Sequence, residues 1–257
     1  MNLELDDKVA VVTGSSRGIG KYIATRLAAE GCSVAICARG GDDLEETAAE
    51  LEGAGAAVLA LEVDLTEVEA PRRVIDETVR RFGRLDVLVS NVGGNRRKHF
   101  VETTDADWED ILALNLTSHV RCSRAAIPAM QDDGGAIVFI SSIFGREAGG
   151  PGLSIYNATK SALISMAKIM ALELASENIR VNSVAPGSIR FPGGSWDERV
   201  RSQPEKMKAF VEANLPMGRF GTAEEIADVV AFLVSARASL ITGACLNVDG
   251  GQSHSLI

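Results

Sequence analysis

The chain has 257 residues, of which 46% are hydrophobic and 24% charged, a composition typical of a globular protein with a substantial core. Its formal net charge of −9 argues against a nucleic-acid-binding surface, and no apolar run is long enough to predict a membrane-spanning helix. The acidic N-terminus lacks the pattern of a secretion signal, and the four cysteines and three histidines are too scattered to suggest a metal site. These features predict a cytoplasmic protein with reduced thiols and no bound metal.

Apolar segments alternate with longer amphipathic segments along the chain. The apolar segments predict strands at Val9–Thr13, Ser33–Ala38, Val58–Glu62, Leu85–Ser90, Ala136–Ser141, Val181–Ala185 and Cys245–Val248. The amphipathic segments predict helices at Ile19–Glu30, Leu44–Gly53, Val68–Phe82, Asp107–Met130, Tyr156–Glu177 and Ala223–Ser235. This alternation predicts an α/β fold, a Rossmann-type doubly wound parallel sheet of about seven strands flanked by helices on both faces. We expect a single domain over residues 1–257, with its active site at the carboxyl ends of the strands.

A glycine-rich turn, TGSSRGIG, joins the first predicted strand to the first predicted helix. Glycines in such a turn let backbone N–H groups approach a pyrophosphate at the helix N-terminus, where the helix dipole favours anions. The alternative is a glycine-rich turn without a ligand. The position directly after the first strand favours the dinucleotide site. Its candidate cofactor-binding residues are Gly14, Ser16, Arg17, Gly18, Ile19 and Gly20.

The end of the second predicted strand bears on the choice of cofactor. An acidic residue there would bind the adenosine ribose 2′-hydroxyl, but the sequence has Ala38 followed by Arg39. Arg39, helped by Arg17, would pair with a 2′-phosphate, which favours NADP(H) over NAD(H). Asp42 and Asp43 lie close by, and we interpret them as acidic residues that begin the next helix.

Polar and small residues follow the third and fourth predicted strands. Asp64, with Leu65 next to it, is placed to contact an adenine amino group. Asn91 and Gly93 follow the fourth strand, where small residues would let a cofactor lie against the backbone.

The candidate catalytic pair is Tyr156 and Lys160, four residues apart in a predicted helix and therefore on one face. A neighbouring ammonium would lower the pKa of the phenol, so that Tyr156 could exchange a proton with a carbonyl or alcohol oxygen. The alternative is a helix-surface pair. Ser142 at the end of the fifth strand would hold the substrate oxygen, with Ser141 as its structural neighbour. Asn115 would either mark a helix kink or hold a water that continues a proton relay to Lys160.

These motifs, in this order and over essentially the whole chain, resemble the short-chain dehydrogenase/reductase family. The resemblance implies a catalytic tetrad of Asn115, Ser142, Tyr156 and Lys160, with Tyr156 and Lys160 also contacting the cofactor. It further implies that Pro186, Gly187 and Ile189 border the nicotinamide, and that the protein is a homotetramer. One departure is Phe191, which stands where many members have a threonine that contacts the nicotinamide amide.

Within that family the chain resembles the 3-oxoacyl-acyl-carrier-protein reductases. Those enzymes use basic residues near the ends of two large helices to bind an acidic carrier protein. Here the matching segments carry Asp132, Asp133 and Glu177. Like charges would oppose association, so the sequence speaks against a carrier-protein partner and favours a small-molecule substrate.

The substrate side should be formed by Gly94, Phe144, Leu153 and a segment at about 188–216 that contains Trp196. We expect this segment to be a lid, with Gly193 and Gly194 as a hinge and Trp196 as an apolar cap. The alternative is a surface helical hairpin in which Trp196 packs for stability. The cationic run 96–98 would either meet an anionic group of the substrate or form a solvated loop.

Three functions follow from these patterns. The first is an NADP(H)-dependent reductase of free or coenzyme-A-linked ketones, or dehydrogenase of secondary alcohols, with Tyr156 as the acid/base. The second is an NAD-dependent alcohol or sugar-alcohol dehydrogenase. The third is a cofactor-sensing protein without turnover, which the presence of both Tyr156 and Lys160 disfavours.

Overall fold

A computed structural model of the protein describes residues 2–256. The strands are β1 (Val9–Thr13), β2 (Ser33–Ala38), β3 (Val58–Glu62), β4 (Val87–Ser90), β5 (Gly135–Ile140), β6 (Ile179–Pro186), β7 (Ile189–Arg190), β8 (Gly221–Thr222) and β9 (Cys245–Val248). Seven of them, all parallel, form the main sheet in the order β3-β2-β1-β4-β5-β6-β9, and β7 and β8 form a small second sheet.

The α-helices are α1 (Gly18–Ala29), α2 (Gly41–Gly53), α3 (Ala70–Phe82), α4 (Asp105–Leu112), α5 (Ser118–Met130), α6 (Ser154–Leu174), α7 (Ser195–Ser202), α8 (Pro204–Asn214) and α9 (Ala223–Val234). This arrangement confirms the predicted Rossmann-type fold. In residues 2–256, no helix is both long enough and apolar enough to cross a membrane.

Helices cover both faces of the sheet, because the strand side chains on each face are mostly apolar and buried. On one face, strand residues such as Val12 and Ile36 pack against α1, α2 and α9. On the other, Val11 and Phe139 pack against α3, α5 and α6. Strands that bury both faces need apolar side chains at every position, which explains their continuous apolar runs.

The predicted helix Asp107–Met130 is wrong as a continuous α-helix. A π-helical turn, Ala113–Thr117, separates α4 from α5, and α4 begins earlier than expected, at Asp105. Thr104 caps α4, because its hydroxyl accepts a hydrogen bond from the Asp107 backbone N–H at 3.2 Å. Hydrophobic periodicity does not distinguish a π-turn from the α-helix on either side of it.

The order of the strands reverses between β1 and β4, which leaves a crevice at their carboxyl ends. Asn91, directly after β4, closes the floor of this crevice. Its backbone N–H donates to the Thr13 hydroxyl at 2.9 Å, and its amide Nδ2 donates to the carbonyls of Thr13 and Gly14 at 2.9 and 3.0 Å. The crevice is therefore built by the turn after β1 and the loop after β4 together.

Candidate active site

A cavity of about 1810 Å³ opens at the carboxyl ends of the strands. It brings together the glycine turn, the ends of β2 and β3, the Tyr156–Lys160 face of α6 and the segment 188–216. Of the site residues predicted from the sequence, only Asn115 does not line it. Those that do are Gly14, Ser16, Arg17, Gly18, Ile19, Gly20, Arg39, Asp64, Leu65, Asn91, Gly93, Gly94, Ser142, Phe144, Leu153, Tyr156, Lys160, Pro186, Gly187, Ile189 and Trp196.

The glycine turn fits a dinucleotide pyrophosphate. Gly14 and Gly18 have φ angles of +64° and +57°, which side chains other than glycine rarely adopt. Helix α1 begins at Gly18 with no side-chain cap on its N-terminal N–H groups and no acidic residue in its first turn. These N–H groups and the positive end of the helix dipole are consequently available to an anion in the cavity.

The residues that the sequence predicts for the adenosine end of a cofactor have fewer contacts with the rest of the protein. Arg39 has a side chain that is 67% exposed and lies 4.0 Å from the Asp64 carboxylate. Although partial burial opposes it, hydrogen bonds from the backbone and hydroxyl of Thr66 hold the pKa of Asp64 below its usual value. An ion pair this long and exposed contributes little, so the Arg39 guanidinium remains available to a ligand.

Tyr156 and Lys160 lie one turn apart on α6, as expected. Lys160 is 3% exposed, and its ammonium donates to the Ile140 carbonyl at 2.8 Å and lies 5.8 Å from the centre of the Tyr156 ring. Burial lowers the pKa of Lys160 to about 8, because desolvation disfavours its charged form. Lys160 therefore remains mostly protonated at neutral pH.

The expected lowering of the tyrosine pKa by Lys160 is not observed. Burial raises the pKa of Tyr156 above its usual value, and a hydrogen bond with Ser142 opposes this shift in part. The sequence suggests the charge attraction from the spacing of the pair, but not the desolvation that outweighs it. The phenol is consequently protonated at neutral pH.

The two serines after β5 have different environments. The Ser141 hydroxyl donates to the Lys160 carbonyl at 2.8 Å and so fixes the loop to α6. The Ser142 hydroxyl accepts from the Phe144 backbone N–H at 3.2 Å and reaches Tyr156. This geometry supports Ser142 as the group that contacts a substrate oxygen and gives Ser141 a structural role.

Asn115 lies in the π-helical turn and is fully buried behind the cavity. Its Oδ1 accepts from the Gly94 N–H at 2.8 Å, and its Nδ2 donates to the Gly94 carbonyl at 2.9 Å and to the Thr159 hydroxyl at 3.2 Å. The π-helical turn interrupts the regular α-helix at Asn115, whose side chain ties the loop after β4 to the helix that carries Lys160. A water relay through Asn115 stays a prediction.

Sequence reasoning missed His119, one turn beyond Asn115. This side chain is fully buried, and its Nε2–H donates to the Val92 carbonyl at 2.8 Å, while Nδ1 has no hydrogen-bond partner among residues 2–256. Burial, reinforced by the Lys160 charge, lowers the pKa of His119 to about 3. His119 is therefore a neutral support for the loop after β4, and a lone histidine in an amphipathic helix gave no signal of that role.

Comparison with known proteins agrees with this geometry. Residues 14–253 match a family model described as enoyl-(acyl carrier protein) reductase. The chain is 35% identical over 250 residues to the 3-oxoacyl-acyl-carrier-protein reductase FabG of Thermotoga maritima, covering 97% of this chain and 99% of that one. The chain belongs to the short-chain dehydrogenase/reductase family. As a member of that family it is an oxidoreductase.

Two solved structures of similar proteins contain nicotinamide cofactors. The L-sorbose reductase of Gluconobacter frateurii, in complex with NADPH and L-sorbose, is 34% identical and superposes with a TM-score of 0.94 over the whole of both chains. A 7α-hydroxysteroid dehydrogenase in complex with NADH and a 7-oxo bile acid is 31% identical, with a TM-score of 0.91 over 100% of this chain and 98% of that one. One of these neighbours is in complex with NADPH and the other with NADH, so membership of the family leaves the cofactor preference open.

The segment 188–216 of this short-chain dehydrogenase/reductase folds as β7 followed by the helices α7 and α8. Trp196 lines the cavity and also packs against Phe210 and Phe220, with ring centres 4.8 and 5.2 Å away. Both interpretations of Trp196, cap and packing residue, are thus compatible with its position. Phe191 lies over the glycine turn, because a Cβ atom at Gly18 would be 2.8 Å from its ring.

The C-terminal segment also contributes to the cavity, which the sequence did not indicate. Gln252 and His254 line it, and the Gln252 side chain accepts a hydrogen bond from the Ser188 N–H at 2.7 Å. The Glu147 carboxylate accepts from the Ser253 hydroxyl at 3.0 Å and the His254 N–H at 2.8 Å. These long-range contacts fix the tail beside the loop after β5.

Proposed function

We propose that the protein is an NADP(H)-dependent oxidoreductase that interconverts ketones and secondary alcohols, with Tyr156 as the acid/base. The proposal rests on one observation: Ser142, Tyr156 and Lys160 line the same cavity as the glycine turn and Arg39. A nicotinamide nucleotide whose pyrophosphate lies at the glycine turn would lie along the carboxyl edge of the sheet, towards α6.

Each polar residue has a defined task in this reaction. When bound, the reduced nicotinamide supplies the hydride. Ser142 donates a hydrogen bond to the carbonyl oxygen of the ketone, and Tyr156 gives that oxygen its proton as negative charge develops there. Lys160 contributes positive charge next to the phenol and stabilises the phenolate that the proton transfer leaves. The raised pKa of Tyr156 keeps the proton in place until the hydride arrives.

Replacing Tyr156 with phenylalanine tests the role of the phenol. Tyr156→Phe should lower kcat for ketone reduction by at least about a hundredfold, the usual contribution of a positioned proton donor, while leaving the dissociation constant for NADPH nearly unchanged. The matched control is Tyr22→Phe, which removes the other tyrosine hydroxyl of the chain from α1. Equal activity of the Tyr156→Phe variant and the wild type would contradict the mechanism.

The NADP(H) preference rests on Arg39 at the end of β2, with Arg17 lining the same cavity. Asp42 and Asp43 lie in the first turn of α2, as predicted, and Asp43 also lines the cavity, so this end of the cavity contains an acidic group as well. We expect Arg39 to dominate, because a guanidinium forms charge-assisted hydrogen bonds with a phosphate that a hydroxyl cannot match.

Dissociation constants for NADPH and NADH, measured by cofactor fluorescence, test this preference. Wild type should bind NADPH at least about tenfold more tightly, and Arg39→Asp should abolish or invert that ratio. Arg39→Gln is the control that removes the charge without reversing it and should give an intermediate ratio. A wild-type preference for NADH would instead favour the NAD-dependent alcohol or sugar-alcohol dehydrogenase, and cofactor binding without turnover of any ketone or alcohol would favour a cofactor-sensing protein.

A second candidate is the reduction of 3-oxoacyl groups on a carrier protein, which the similarity to FabG favours. The surface expected to dock that partner is acidic. The Gln131 amide donates to Glu177 at 3.0 Å, so the ends of α5 and α6 meet and place Glu177 near Asp132 and Asp133. Arg84 lies 3.6 Å from Asp133 and offsets only part of this charge.

The two candidates differ in the substrate that reacts fastest. We expect a higher kcat/KM for a 3-oxoacyl-coenzyme A than for the same acyl group on its acidic carrier protein, because like charges suppress association. A preference for the carrier-protein substrate that falls as salt is added would support the second candidate.

We also propose a cytoplasmic homotetramer, on the resemblance to the family. Exposed apolar side chains on α6 support self-association, since Ile169 is 52% and Leu172 is 68% exposed. Light scattering in solution tests the stoichiometry, and a monomer at micromolar concentration would contradict it.

A further inference from the structure

The structure divides the cationic run that follows the β4 loop into two kinds of residue. Arg96 lies 2.8 Å from Asp107 and 3.0 Å from Asp110, and Lys98 lies 2.7 Å from Asp107. Asp107 is only 3% exposed, so its carboxylate needs these cations. Arg96 and Lys98 therefore fix the start of α4 and are not available to a substrate.

Arg97, between them, points to the other side and lines the cavity. Its Nε–H donates to the Pro151 carbonyl at 3.0 Å, and no carboxylate among residues 2–256 lies within ion-pair distance of it. Nη1 and Nη2 have no hydrogen-bond partner in that part of the chain. The two ends of the guanidinium that suit a bidentate anion are therefore the ones left free.

The loop before α6 holds this side chain in place. A Cβ atom at Gly152 would lie 2.9 Å from the Arg97 Cγ, and one at Gly150 would lie 3.1 Å from its Nη2. The Lys98 N–H also donates to the Gly152 carbonyl at 3.2 Å. The backbone and the glycines of this loop thus restrict the conformations of the Arg97 side chain. This restriction reduces the conformational entropy that the side chain would lose on binding an anion.

The same loop carries the predicted substrate residues. A Cβ atom at Gly149 would lie 2.8 Å from Leu153 and 3.3 Å from Phe144, and both of these residues line the cavity. Leu153 is close in sequence to Tyr156, and Phe144 is close in sequence to Ser142. Arg97 consequently belongs to the substrate side of the cavity, whereas Arg17 and Arg39 belong to the glycine turn and the end of β2.

The carboxylates on this side of the cavity do not neutralise the positive charge of Arg97. Glu147 is occupied by donors from the C-terminal segment. Helices α7 and α8 contribute charges of both signs to the cavity: the acidic residues are Glu198 and Glu212, and the basic residues are Arg199 and Lys206. Lys160 is another cation without a carboxylate partner among residues 2–256, but it is buried and its ammonium is bonded to the Ile140 carbonyl. Among the exposed cations on this side of the cavity, Arg97 is the one that a side-chain hydrogen bond holds in the described part of the chain.

We infer that Arg97 selects ketone substrates that carry an anionic group, a carboxylate or a phosphate ester, whose oxygens accept hydrogen bonds from Nη1 and Nη2. The inference rests on the proposed function, because it concerns the substrate of the same site. By the same inference, the neighbouring Arg96 and Lys98 contribute to the stability of the fold and do not bind the substrate.

The test compares three forms of one ketone: the free acid 3-oxobutanoate, its neutral ethyl ester and its coenzyme A thioester. Arg97→Gln should lower kcat/KM for one anionic form by about tenfold while leaving the neutral ester within about twofold of wild type. A selective loss for the free acid identifies the group as a carboxylate, and a selective loss for the thioester identifies it as a coenzyme A phosphate.

Arg96→Gln is the matched control, because it removes the same charge one residue away. It should lower the midpoint of thermal unfolding and leave the ratio of anionic to neutral substrate unchanged. Equal effects of the two variants on that ratio, or no effect of Arg97→Gln, would overturn the inference.

A binding measurement separates this inference from the proposed function. Quenching of intrinsic tryptophan fluorescence by the free acid, the thioester and the ester, with saturating NADP⁺ present, gives dissociation constants without turnover. If wild type reduces none of the ketones, the proposed function fails, yet tighter binding of an anionic form that is lost in Arg97→Gln would still support the role of Arg97. Equal binding of all three forms by wild type would refute it.

Discussion

The glycine turn makes a quantitative prediction at Gly20. This residue lies in the first turns of α1 and does not have a positive φ, so its backbone would accept any residue. Space is what excludes a side chain: a Cβ atom would lie 2.3 Å from the Gly14 carbonyl oxygen and 2.5 Å from the Asn91 amide nitrogen. Gly20→Ala therefore tests close packing of helix against turn, separately from backbone strain.

The cost can be worked out from these contacts. A carbon atom normally keeps about 3.5 Å from such atoms, so the turn or the helix must shift by about 1 Å. Overpacking of this kind costs about 1–3 kcal/mol. The shift also weakens the hydrogen bonds from the Asn91 amide to Thr13 and Gly14, each with a net contribution of about 0.5–1.5 kcal/mol. We expect a total loss of about 2–5 kcal/mol.

Urea unfolding, followed by circular dichroism, measures this loss, and thermal unfolding should show a midpoint lower by roughly 5–15 °C. The affinity for NADPH should fall as well, because the displaced turn carries the N–H groups that we propose bind the pyrophosphate. The control is Gly53→Ala at the end of α2, where a Cβ atom would meet nothing within 4 Å. That variant should be as stable as wild type or more stable by up to about 1 kcal/mol. Equal stability of Gly20→Ala and wild type would refute the packing argument.

Three further predictions concern buried polar groups. The pKa of His119 is lowered to about 3, so the unfolded chain binds a proton that the native state does not, and stability should fall by about 2 kcal/mol between pH 6.5 and pH 5. His119→Gln should flatten that fall in urea unfolding. The pKa of Lys160 is lowered to about 8, so Lys160 contributes a gain in stability of about 1 kcal/mol between pH 8 and pH 9, which should appear as the difference between wild type and Lys160→Met. The thiols of Cys32 and Cys37, whose pKa burial raises to about 12, oppose this gain in both proteins from about pH 8, because only the unfolded chain releases their protons there. Asn115→Ala should cost about 2–4 kcal/mol in urea unfolding because it leaves buried backbone groups unpaired, and a cost below about 1 kcal/mol would show that water replaces the amide.

Most of the fold followed from periodicity and from the alternation of strands and helices. The strands Val9–Thr13, Ser33–Ala38, Val58–Glu62 and Cys245–Val248 were predicted with the bounds that the structure has. These segments are short and bounded by turn residues, and each consists mainly of apolar residues. The other three strands start or end one or two residues away from the prediction. Polar residues such as Ser141 and charged residues such as Arg180 lie at these strand ends, where the apolar pattern no longer marks the boundary.

The polar residues of the candidate site were predictable because they follow strands, and strand ends meet at one edge of a parallel sheet. What the sequence could not provide were properties that depend on packing between distant segments. Burial of Tyr156 sets the direction of its pKa shift. Partners far away in sequence decide that Arg96 is occupied and Arg97 is free. Contacts with the loop after β5 bring His254 to the cavity. None of these follows from local spacing.

The pKa shifts of Tyr156 and Lys160 have a common cause, with a consequence for the direction of the proposed reaction. Burial disfavours the charged form of each group, so it raises the pKa of Tyr156 and lowers that of Lys160 to about 8. Reduction of a ketone starts from neutral Tyr156 and charged Lys160, the pair that prevails at neutral pH. Oxidation of an alcohol needs the phenolate, which forms only as the pH rises, while Lys160 loses the charge that stabilises it above about pH 8. The rate of reduction should therefore stay high below pH 8 and decline above it, whereas the rate of oxidation should increase with pH from a low value at pH 7. A reduction rate that rises steadily from pH 7 to pH 9 would mean that the phenolate, and not the phenol, is the form on which the site depends.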